Sequence, residues 1–247
     1  MLEMLLGFAL VLTRISAFFL ILPVFGWMAI PMRVKVAATV LLSIFFGMLS
    51  PLAVDVATVS TIKAILLLAG EATYGLALGL IVNLLFSVVK LSGKIIERQM
   101  GMTMANILDP MTGETARPLG SLLEMLFILL FLGANGHHLF LLIISKSYVA
   151  FPAGTVPTMG VLTTGVITAG SAMLIAGLRL AAPLLAAFLV LMVALALLAR
   201  LVPEMNILFI SMPVRIGLGL LMAGTFLPFV NGYVTELANW MAKLLPL

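Results

Sequence analysis

The stretch of sequence that decides the fold is residues 159–200, which read MGVLTTGVITAGSAMLIAGLRLAAPLLAAFLVLMVALALLAR. Its only charged residues are Arg179 and Arg200, so the stretch predicts a membrane helix. A helix of about 40 residues is about 60 Å long, which is twice the thickness of the hydrocarbon core of a bilayer. Either the chain folds back near Pro183, or this is the first arm of a hairpin of long, kinked helices. No polar turn cluster accompanies Pro183, which favours the hairpin.

The rest of the chain is also strongly apolar. Of its 247 residues, 64% are hydrophobic and 9% are charged, whereas a soluble domain has about 45–50% apolar and about 25% charged residues. Backbone groups in lipid must be hydrogen-bonded internally, and the apolar runs are too long for barrel strands of about 9–11 residues. The sequence therefore predicts an all-α, polytopic membrane protein. Its six long helical segments are residues 4–32, 34–60, 62–89, 119–149, 159–200 and 207–245.

The last two segments meet at a short turn, residues 201–205 (LVPEM). Pro203 and Glu204 are predicted to lie in this turn, where the missing N–H of a proline is harmless. Pro183 and Pro213 lie inside the two arms and are expected to kink them.

Ionisable side chains also occur inside the apolar segments. Each costs about 2.5–3.5 kcal/mol at the centre of a bilayer unless it faces protein or water. We therefore expect these side chains to make polar contacts with neighbouring subunits, and the isolated chain to be poorly stable. The residues are Arg14, Glu71, Glu124, Arg179 and Arg215. For Glu71 and Glu124, a role as proton-relay acids is the alternative to capping or pairing with the backbone of a partner.

The one long polar stretch covers residues 90–118, KLSGKIIERQMGMTMANILDPMTGETARP. Helical periodicity continues to about Asn106 and breaks at Asp109-Pro110, so residues 107–118 are predicted to form a loop. Four methionines lie at or just before this loop: Met100, Met102, Met104 and Met111. Methionine is unbranched and adapts to irregular gaps, so the loop suits a deformable seal. A plain connecting loop is the other interpretation.

The sequence contains no catalytic or metal-binding pattern. The chain has no cysteine, which excludes thiolate metal sites and a cysteine nucleophile. His137 and His138 are adjacent, so on a helix they point about 100° apart and cannot both face one metal. His137 is instead predicted to be a helix-terminal polar residue. We therefore expect neither an enzyme nor a cofactor, and the net charge of +4 lacks the dense basic run that nucleic-acid binding needs.

The polar stretch resembles the FliR family, the flagellar biosynthetic export-gate protein and its injectisome counterparts. The resemblance rests on Ser92-Gly93-Lys94-Ile95-Ile96, Gln99-Met100-Gly101-Met102, Ala105-Asn106 and Asp109-Pro110. It continues along nearly the whole chain through Arg14, residues 23–25 (PVF), 31–35 (PMRVK), 130–132 (LFL), 135–137 (NGH), 200–207 (RLVPEMNI) and Pro213. One departure is Met102, where the family often has Phe or another large apolar residue.

The resemblance implies a subunit of the type III export gate, which passes unfolded export substrates. It implies assembly into a helical export-gate complex with FliP-like and FliQ-like subunits and FlhA-like and FlhB-like components, in contact with membrane lipid. This complex would lie in the bacterial inner (cell) membrane, in the export apparatus of the flagellar basal body. Residues 1–158 are similar to a FliP subunit and residues 159–247 to a long FliQ hairpin, so several segments are not expected to span lipid.

The resemblance also implies where the gate lies. The loop that follows the Gln-Met-Gly helix in the family is similar to a plug in the closed pore, which implies a plug in residues 107–118. The implied gate and plug residues are Gln99, Met100, Gly101, Met102, Met104, Asn106, Asp109, Pro110, Met111, Glu114 and Arg117. A structural and gating subunit of a secretion pore fits best. The alternative, a small-solute transporter, would need paired repeats with broken helices at matching positions, and the two halves lack that correspondence.

Overall fold

The computed structural model describes residues 2–23, 31–49, 60–102, 118–155, 158–204, 206–207, 209–222, 224 and 232–233. In these ranges the chain forms helices and connecting turns and contains no strand, which confirms the all-α prediction. The helices are α1 (Leu2–Ile21), α2 (Met32–Leu49), α3 (Thr61–Met100), α4 (Pro118–Gly133), α5 (His137–Ala150), α6 (Met159–Leu201) and α7 (Phe209–Met222).

The local sequence explains where several helices begin. Ser60 precedes α3, and its hydroxyl accepts a hydrogen bond from the backbone N–H of Lys63 at 3.3 Å, as an N-cap residue does. α4 begins with Pro118, whose missing N–H is harmless in the first turn of a helix. Before α5, Asn135 adopts a left-handed φ of 59°, which asparagine tolerates better than most residues.

α3 continues through much of the polar stretch and ends at Met100. Gly101 follows with a φ of 78°, and its N–H donates to the carbonyl of Arg98 at 3.3 Å. A left-handed glycine therefore ends the helix. α3 thus continues past the apolar segment 62–89, as the helical periodicity predicted, and ends at Met100; residues 103–106 of that prediction lie outside the described ranges. The predicted loop lies outside the described residues except for Pro118.

The predicted fourth segment, residues 119–149, consists of two helices. α4 and α5 are separated by a turn at residues 134–136. The apolar residues on both sides look continuous in the sequence, whereas Asn135 and Gly136 form a turn that interrupts the helical segment. His137 is the first residue of α5, which confirms its predicted place at a helix end.

α6 is a single helix with Pro183 inside it, so the chain does not fold back at that proline. Pro203 and Glu204 lie in the turn that follows, and Pro213 lies inside α7. The predicted hairpin of two long helices has a proline in its turn and prolines inside its arms, as is the case here. Most of the second arm beyond α7 lies outside the described residues, and the bending of the arms by their prolines stays a prediction.

Among the described helices, α2, α3 and α6 are long and apolar enough to cross a membrane, and α4 with α5 would be a fourth if the broken pair counts as one span. α3 is the most buried of the three, with 56% of the apolar stretch that could cross a membrane inside the protein. In the corresponding apolar stretches, 11% of α2 and 22% of α6 are buried. These two helices therefore present apolar side chains that need lipid or another protein chain around them.

The described residues form two compact units. The first contains α1, α2, the part of α3 up to Phe86, α5, and α6 up to Ala172. Aromatic pairs join its helices: the ring of Phe46 in α2 stacks on Tyr148 in α5 with centroids 5.9 Å apart, and Phe86 contacts Phe140 at 6.0 Å. Fully buried aliphatic residues complete this core: Leu10, Ile15, Leu22, Leu78, Ile81 and Val82.

The second unit contains the rest of α3, α4, the rest of α6 and α7. In its core the ring of Phe127 in α4 contacts Tyr233 at a centroid distance of 5.9 Å. These units are spatial and cut across α3 and α6. The predicted division into a FliP-like region, 1–158, and a FliQ-like region, 159–247, stays a prediction.

Candidate functional site

An ion pair lies in the interior of the first unit. Arg14 of α1 donates from Nε to Oε2 of Glu71 at 2.5 Å and from Nη2 to Oε1 at 3.0 Å. This bidentate geometry is the strongest that an arginine and a carboxylate form. Arg14 is 1% exposed, and Glu71 of α3 is 0% exposed. The pair is therefore closed off from solvent and from any other chain.

The other polar groups of the pair are satisfied by backbone atoms. Nη1 of Arg14 donates to the carbonyl of Phe151 at 2.8 Å and to that of Ser147 at 3.3 Å. Oε1 of Glu71 accepts a further hydrogen bond from the N–H of Gly154 at 2.8 Å. The pair consequently joins α1 and α3 to the end of α5 and to the turn that follows it.

Two tyrosine rings enclose the guanidinium group. The guanidinium carbon of Arg14 lies 4.7 Å from the ring centre of Tyr74 and 4.3 Å from that of Tyr148, which is within cation–π range. The hydroxyl of Tyr148 donates to the carbonyl of Val11 at 3.4 Å. The rings provide an apolar wall that also interacts favourably with the positive charge.

Two glycines allow α1 and α3 to approach each other at this place. A Cβ atom at Gly75 would collide with the carbonyl oxygen of Arg14, and one at Gly79 would lie 2.8 Å from the carbonyl oxygen of Phe18. Only a residue without a side chain fits where two helix backbones come this close. The carboxylate of Glu71, one turn before Gly75, is thereby held within reach of Arg14.

The prediction that Arg14 and Glu71 contact neighbouring subunits was wrong. Each was predicted to need an external partner because each is costly alone in an apolar environment. The fold instead brings the two opposite charges together although they are 57 residues apart in sequence. Sequence reasoning identified both residues but had no signal for their pairing.

The described part of the implied gate is the end of α3. Gln99, Gly101 and Met102 are half-buried. Met100 is 1% exposed, and its Sδ would lie 2.5 Å from a Cβ at Gly219 of α7. Met100 therefore packs inside the second unit, and its implied role in a seal stays a prediction. The other implied gate residues lie outside the described ranges: Met104, Asn106, Asp109, Pro110, Met111, Glu114 and Arg117.

Glu97 is a buried acid near this end of α3 that sequence reasoning did not select. It is 4% exposed, and its Oε1 accepts a hydrogen bond from the N–H of Gly120 in the first turn of α4 at 2.8 Å. Gly93 lies one turn before it on the same face of α3, and a Cβ there would lie 2.9 Å from Cα of Gly120. The spacing of Gly93 and Glu97 was the available signal, since residues four apart share a helix face.

The remaining predicted polar contacts have different surroundings. Glu124 pairs with Lys90 at 3.3 Å on the protein surface, and Arg179 is exposed on α6. Arg215 is half-buried on α7, and its Nε is buried without a hydrogen-bond partner. A role for these three residues between subunits stays a prediction.

The described residues contain no group of three or more His, Asp or Glu side chains that could hold a metal ion. His137 and His138 have ring centroids 4.3 Å apart at the start of α5, and two imidazoles alone do not make a structural metal site.

Known proteins that are similar to this chain identify its family. The family described as "Bacterial export proteins, family 1" matches residues 5–241. Flagellar biosynthetic protein FliR of Bacillus subtilis (strain 168) is 30% identical over 222 residues, which cover 87% of this chain and 84% of the relative. FliR of Pectobacterium carotovorum subsp. carotovorum is 28% identical over 232 residues, covering 94% and 88%. Yop proteins translocation protein T of Yersinia pestis is 27% identical over 216 residues, covering 85% and 82%. The chain therefore belongs to the bacterial export proteins, family 1, and within it to the FliR family.

Proposed function

We propose that this chain is a structural and gating subunit of the type III protein export gate and helps to form the pore for unfolded substrate proteins. The observation that carries the proposal is the family match over residues 5–241. The relatives are named as flagellar biosynthetic and translocation proteins. Those names describe components of an export apparatus rather than enzymes, which supports a role without catalysis.

The distribution of apolar and charged groups supports assembly with other chains. α2 and α6 present many exposed apolar side chains, among them Phe45, Met48, Leu189 and Val190. The charges of Arg14 and Glu71 are satisfied internally, so the first unit is internally well connected. A firmly packed unit with apolar outer helices suits a subunit embedded among membrane helices.

The partners we propose are FliP-like and FliQ-like subunits and FlhA-like and FlhB-like components, in the bacterial inner membrane at the flagellar basal body. Co-expression with FliP-like and FliQ-like subunits, followed by affinity purification in mild detergent, tests this assembly. A stable complex containing all three chains is expected. A monomer that binds a small solute, with no partner retained, would instead favour the alternative of a small-solute transporter.

We also propose that the chain between α3 and α4 contains the plug of the closed gate. A pore for unfolded chains must open widely and still retain ions when idle, so its seal should be soft, apolar and displaceable. Deleting residues 110–116 should leave assembly largely intact, because the helices on both sides carry the packing, and should let small ions leak. Conductance of the purified complex in planar bilayers measures the leak.

A methionine variant is the matched control for this deletion. Replacing Met102 and Met104 together with Ala should leak less than the deletion, because the loop remains to obstruct the path. A deletion variant that assembles normally and conducts no more than the parent would mean that the loop is only a connector.

A further inference from the structure

α5 is apolar on both of its faces. Ile143 and Ile144 are buried in the core of the first unit, whereas Leu141, Leu142 and Val149 on the other side are exposed. A contiguous apolar face at the surface is typical of contact with lipid or with another chain. The described part of the chain leaves this face of α5 uncovered.

This face forms the floor of a groove with a volume of about 730 Å³. The lining residues in α5 follow one another at helical spacing: His138, Leu141, Leu142, Ser145, Tyr148 and Val149. From His138 to Val149 the helix rises by about 17 Å. The groove therefore runs lengthwise along one side of α5.

The end of α2 forms a wall of the groove. Phe45, Phe46 and Leu49 line it, and the ring of Phe46 stacks on Tyr148 at a centroid distance of 5.9 Å. Tyr148 contributes its ring, since its hydroxyl donates to a backbone carbonyl of α1. The apolar walls are therefore concentrated at the Tyr148 end, whereas the exposed imidazole of His138 lies at the other end.

The dimensions of the groove favour a hydrocarbon chain as its occupant. Spread over about 17 Å, the volume of about 730 Å³ corresponds to a mean cross-section of about 40 Å². A helix with its side chains is about 10 Å across, or about 80 Å² in section, and is too thick for this space. The hydrocarbon core of one leaflet is about 15 Å deep, which matches the length of the groove. An acyl chain spans that depth and is one methylene group wide.

The surroundings of the groove also favour lipid. α2 is long and apolar enough to cross a membrane, and only 11% of its apolar stretch is buried. The groove is thus continuous with a surface that suits contact with lipid. We propose that the groove binds one acyl chain of a membrane phospholipid, with the methyl end of the chain at Tyr148 and the headgroup at His138. An imidazole N–H there can donate to an ester or phosphate oxygen.

The groove also connects the lipid to the buried ion pair. Tyr148 lies in its wall, and the centre of the same ring lies 4.3 Å from the guanidinium carbon of Arg14. A chain against Tyr148 covers the aromatic pair that joins α2 to α5. Because this ligand binds the folded chain and not the unfolded one, it should stabilise the first unit. The proposal does not depend on the proposed export function.

The first test counts the phospholipid that stays with the protein. The full-length chain, with any subunits that it retains, is washed in mild detergent until no more phospholipid is released, and its mass is then measured intact. Leu142→Trp adds an indole ring to the exposed floor of the groove, so it should carry one phospholipid fewer than the parent. Ile167→Trp is the matched control and should keep the lipid, because Ile167 is an exposed apolar residue of the same unit that does not line the groove.

A second test locates the acyl chain. The protein is placed in vesicles of phosphatidylethanolamine and phosphatidylglycerol that contain phosphatidylethanolamine with a diazirine in one acyl chain. With the diazirine near the methyl end, light should attach the lipid at Leu49 or Val149; with the diazirine beside the ester group, it should attach the lipid at Leu141. These adducts should be lost from Leu142→Trp and retained in Ile167→Trp.

Thermal unfolding provides an independent readout. Adding phosphatidylethanolamine back to the washed protein should raise the unfolding temperature of the parent and of Ile167→Trp, because the ligand binds only the folded state. The unfolding temperature of Leu142→Trp should not change, since its groove is already filled.

Each outcome has a defined meaning. A parent that retains no phospholipid overturns the proposal, as does a Leu142→Trp variant that retains as much as the parent. If the groove of the parent forms no adduct and Leu142→Trp loses a FliP-like or FliQ-like subunit, a neighbouring chain covers this face and the proposal is wrong. Should Leu142→Trp not fold, Ser145→Phe replaces it, because Ser145 is exposed at the centre of the groove; undiminished lipid in folded Ser145→Phe contradicts the proposal. Failure to assemble with export subunits would overturn the proposed function alone, since the lipid is measured on the chain itself.

Discussion

Arg14 forms four of the five hydrogen bonds that a guanidinium group can donate, two to Glu71 and two to backbone carbonyls. A buried charge is tolerated in an apolar interior only when its hydrogen-bonding groups have partners; without them its desolvation costs too much free energy. The pair fixes the orientation of α1, α3 and α5 within the first unit, because a bidentate contact fixes direction as well as distance. Breaking it should therefore cost more than deleting a surface ion pair.

Arg14→Ala should destabilise the protein by about 3–5 kcal/mol, because the charge of Glu71 remains buried without its partner. Glu71→Ala should have a similar effect, leaving the guanidinium between the two tyrosines. The double variant Arg14→Met with Glu71→Leu should recover much of the loss, since apolar residues of similar volume often replace a buried pair without net cost. Thermal unfolding in detergent measures all three.

Lys90→Ala is the control for this series, because its pair with Glu124 is exposed and is worth less than about 1 kcal/mol. A double variant that is no more stable than the single ones would mean that the pair has a role besides neutralising charge.

Gly75 offers a second test at the scale of one residue. Gly75→Ala places a methyl group against the carbonyl oxygen of Arg14, so α1 and α3 must separate, at a cost of about 1–3 kcal/mol. Gly47→Ala is matched to it, because Gly47 also lies inside a helix but has nothing within 4 Å of its added Cβ. That change should be neutral or stabilising by up to about 1 kcal/mol. Equal unfolding temperatures for the two variants would contradict the close approach.

At the scale of the helix, side-chain hydroxyls are accommodated by the backbone of their own turn. Thr39, Ser43, Thr164 and Thr168 each donate to the carbonyl four residues earlier. These bonds satisfy polar groups without any partner from another helix. The long apolar helices therefore contain serine and threonine at little energetic cost, whereas the charged residues depend on tertiary partners.

The helices and the errors in predicting them have local explanations. Long apolar runs predict helices reliably because lipid leaves the backbone few other ways to be satisfied. The end of α3 depends on the left-handed Gly101 and the break before α5 on Asn135, single residues whose effect an apolar window averages away. The contacts of Arg14 with Glu71 and of Glu97 with Gly120 could not be predicted, because each joins residues whose proximity only the packed fold creates.

The prolines of the hairpin give a prediction at the scale of the element. Pro203 lies in the turn after α6, where an N–H is not needed, so Pro203→Ala should be tolerated. Pro213 lies inside α7, where a proline removes a hydrogen bond and bends the axis, so Pro213→Ala should straighten the helix and disturb its packing against neighbouring chains. The yield of assembled complex after affinity purification compares the two. Equal loss in both variants would argue against this division of roles.

For the whole molecule, the expectation that an isolated chain is poorly stable needs a different physical reason. Unpaired charges at Arg14 and Glu71 were the first explanation, and their mutual pairing removes it. The exposed apolar surface of α2 and α6 provides another, because such surface outside lipid favours aggregation. The two explanations make different predictions for charged residues. Charged residues paired inside the fold should determine the stability of the chain, whereas charged residues on its outer surface should determine assembly with other subunits.

Arg215 separates these two explanations. It is half-buried on α7, and its buried Nε finds no partner within the described part of the chain. We expect an acidic or carbonyl group of a neighbouring subunit to accept from the accessible part of its guanidinium group. Arg215→Met retains the length and apolar character of the side chain and removes the charge. The isolated variant should unfold at the same temperature as the parent or a higher one, because an unsatisfied donor has been removed. Recovery of the complex with FliP-like and FliQ-like subunits should fall by about tenfold, the effect of losing one charge-assisted hydrogen bond.

Arg14→Met should behave in the opposite way, because the isolated chain should lose stability before it can assemble. If Arg215→Met destabilises the isolated chain and leaves the assembly of the folded fraction unaffected, Arg215 serves the fold of this chain and not its contacts with others.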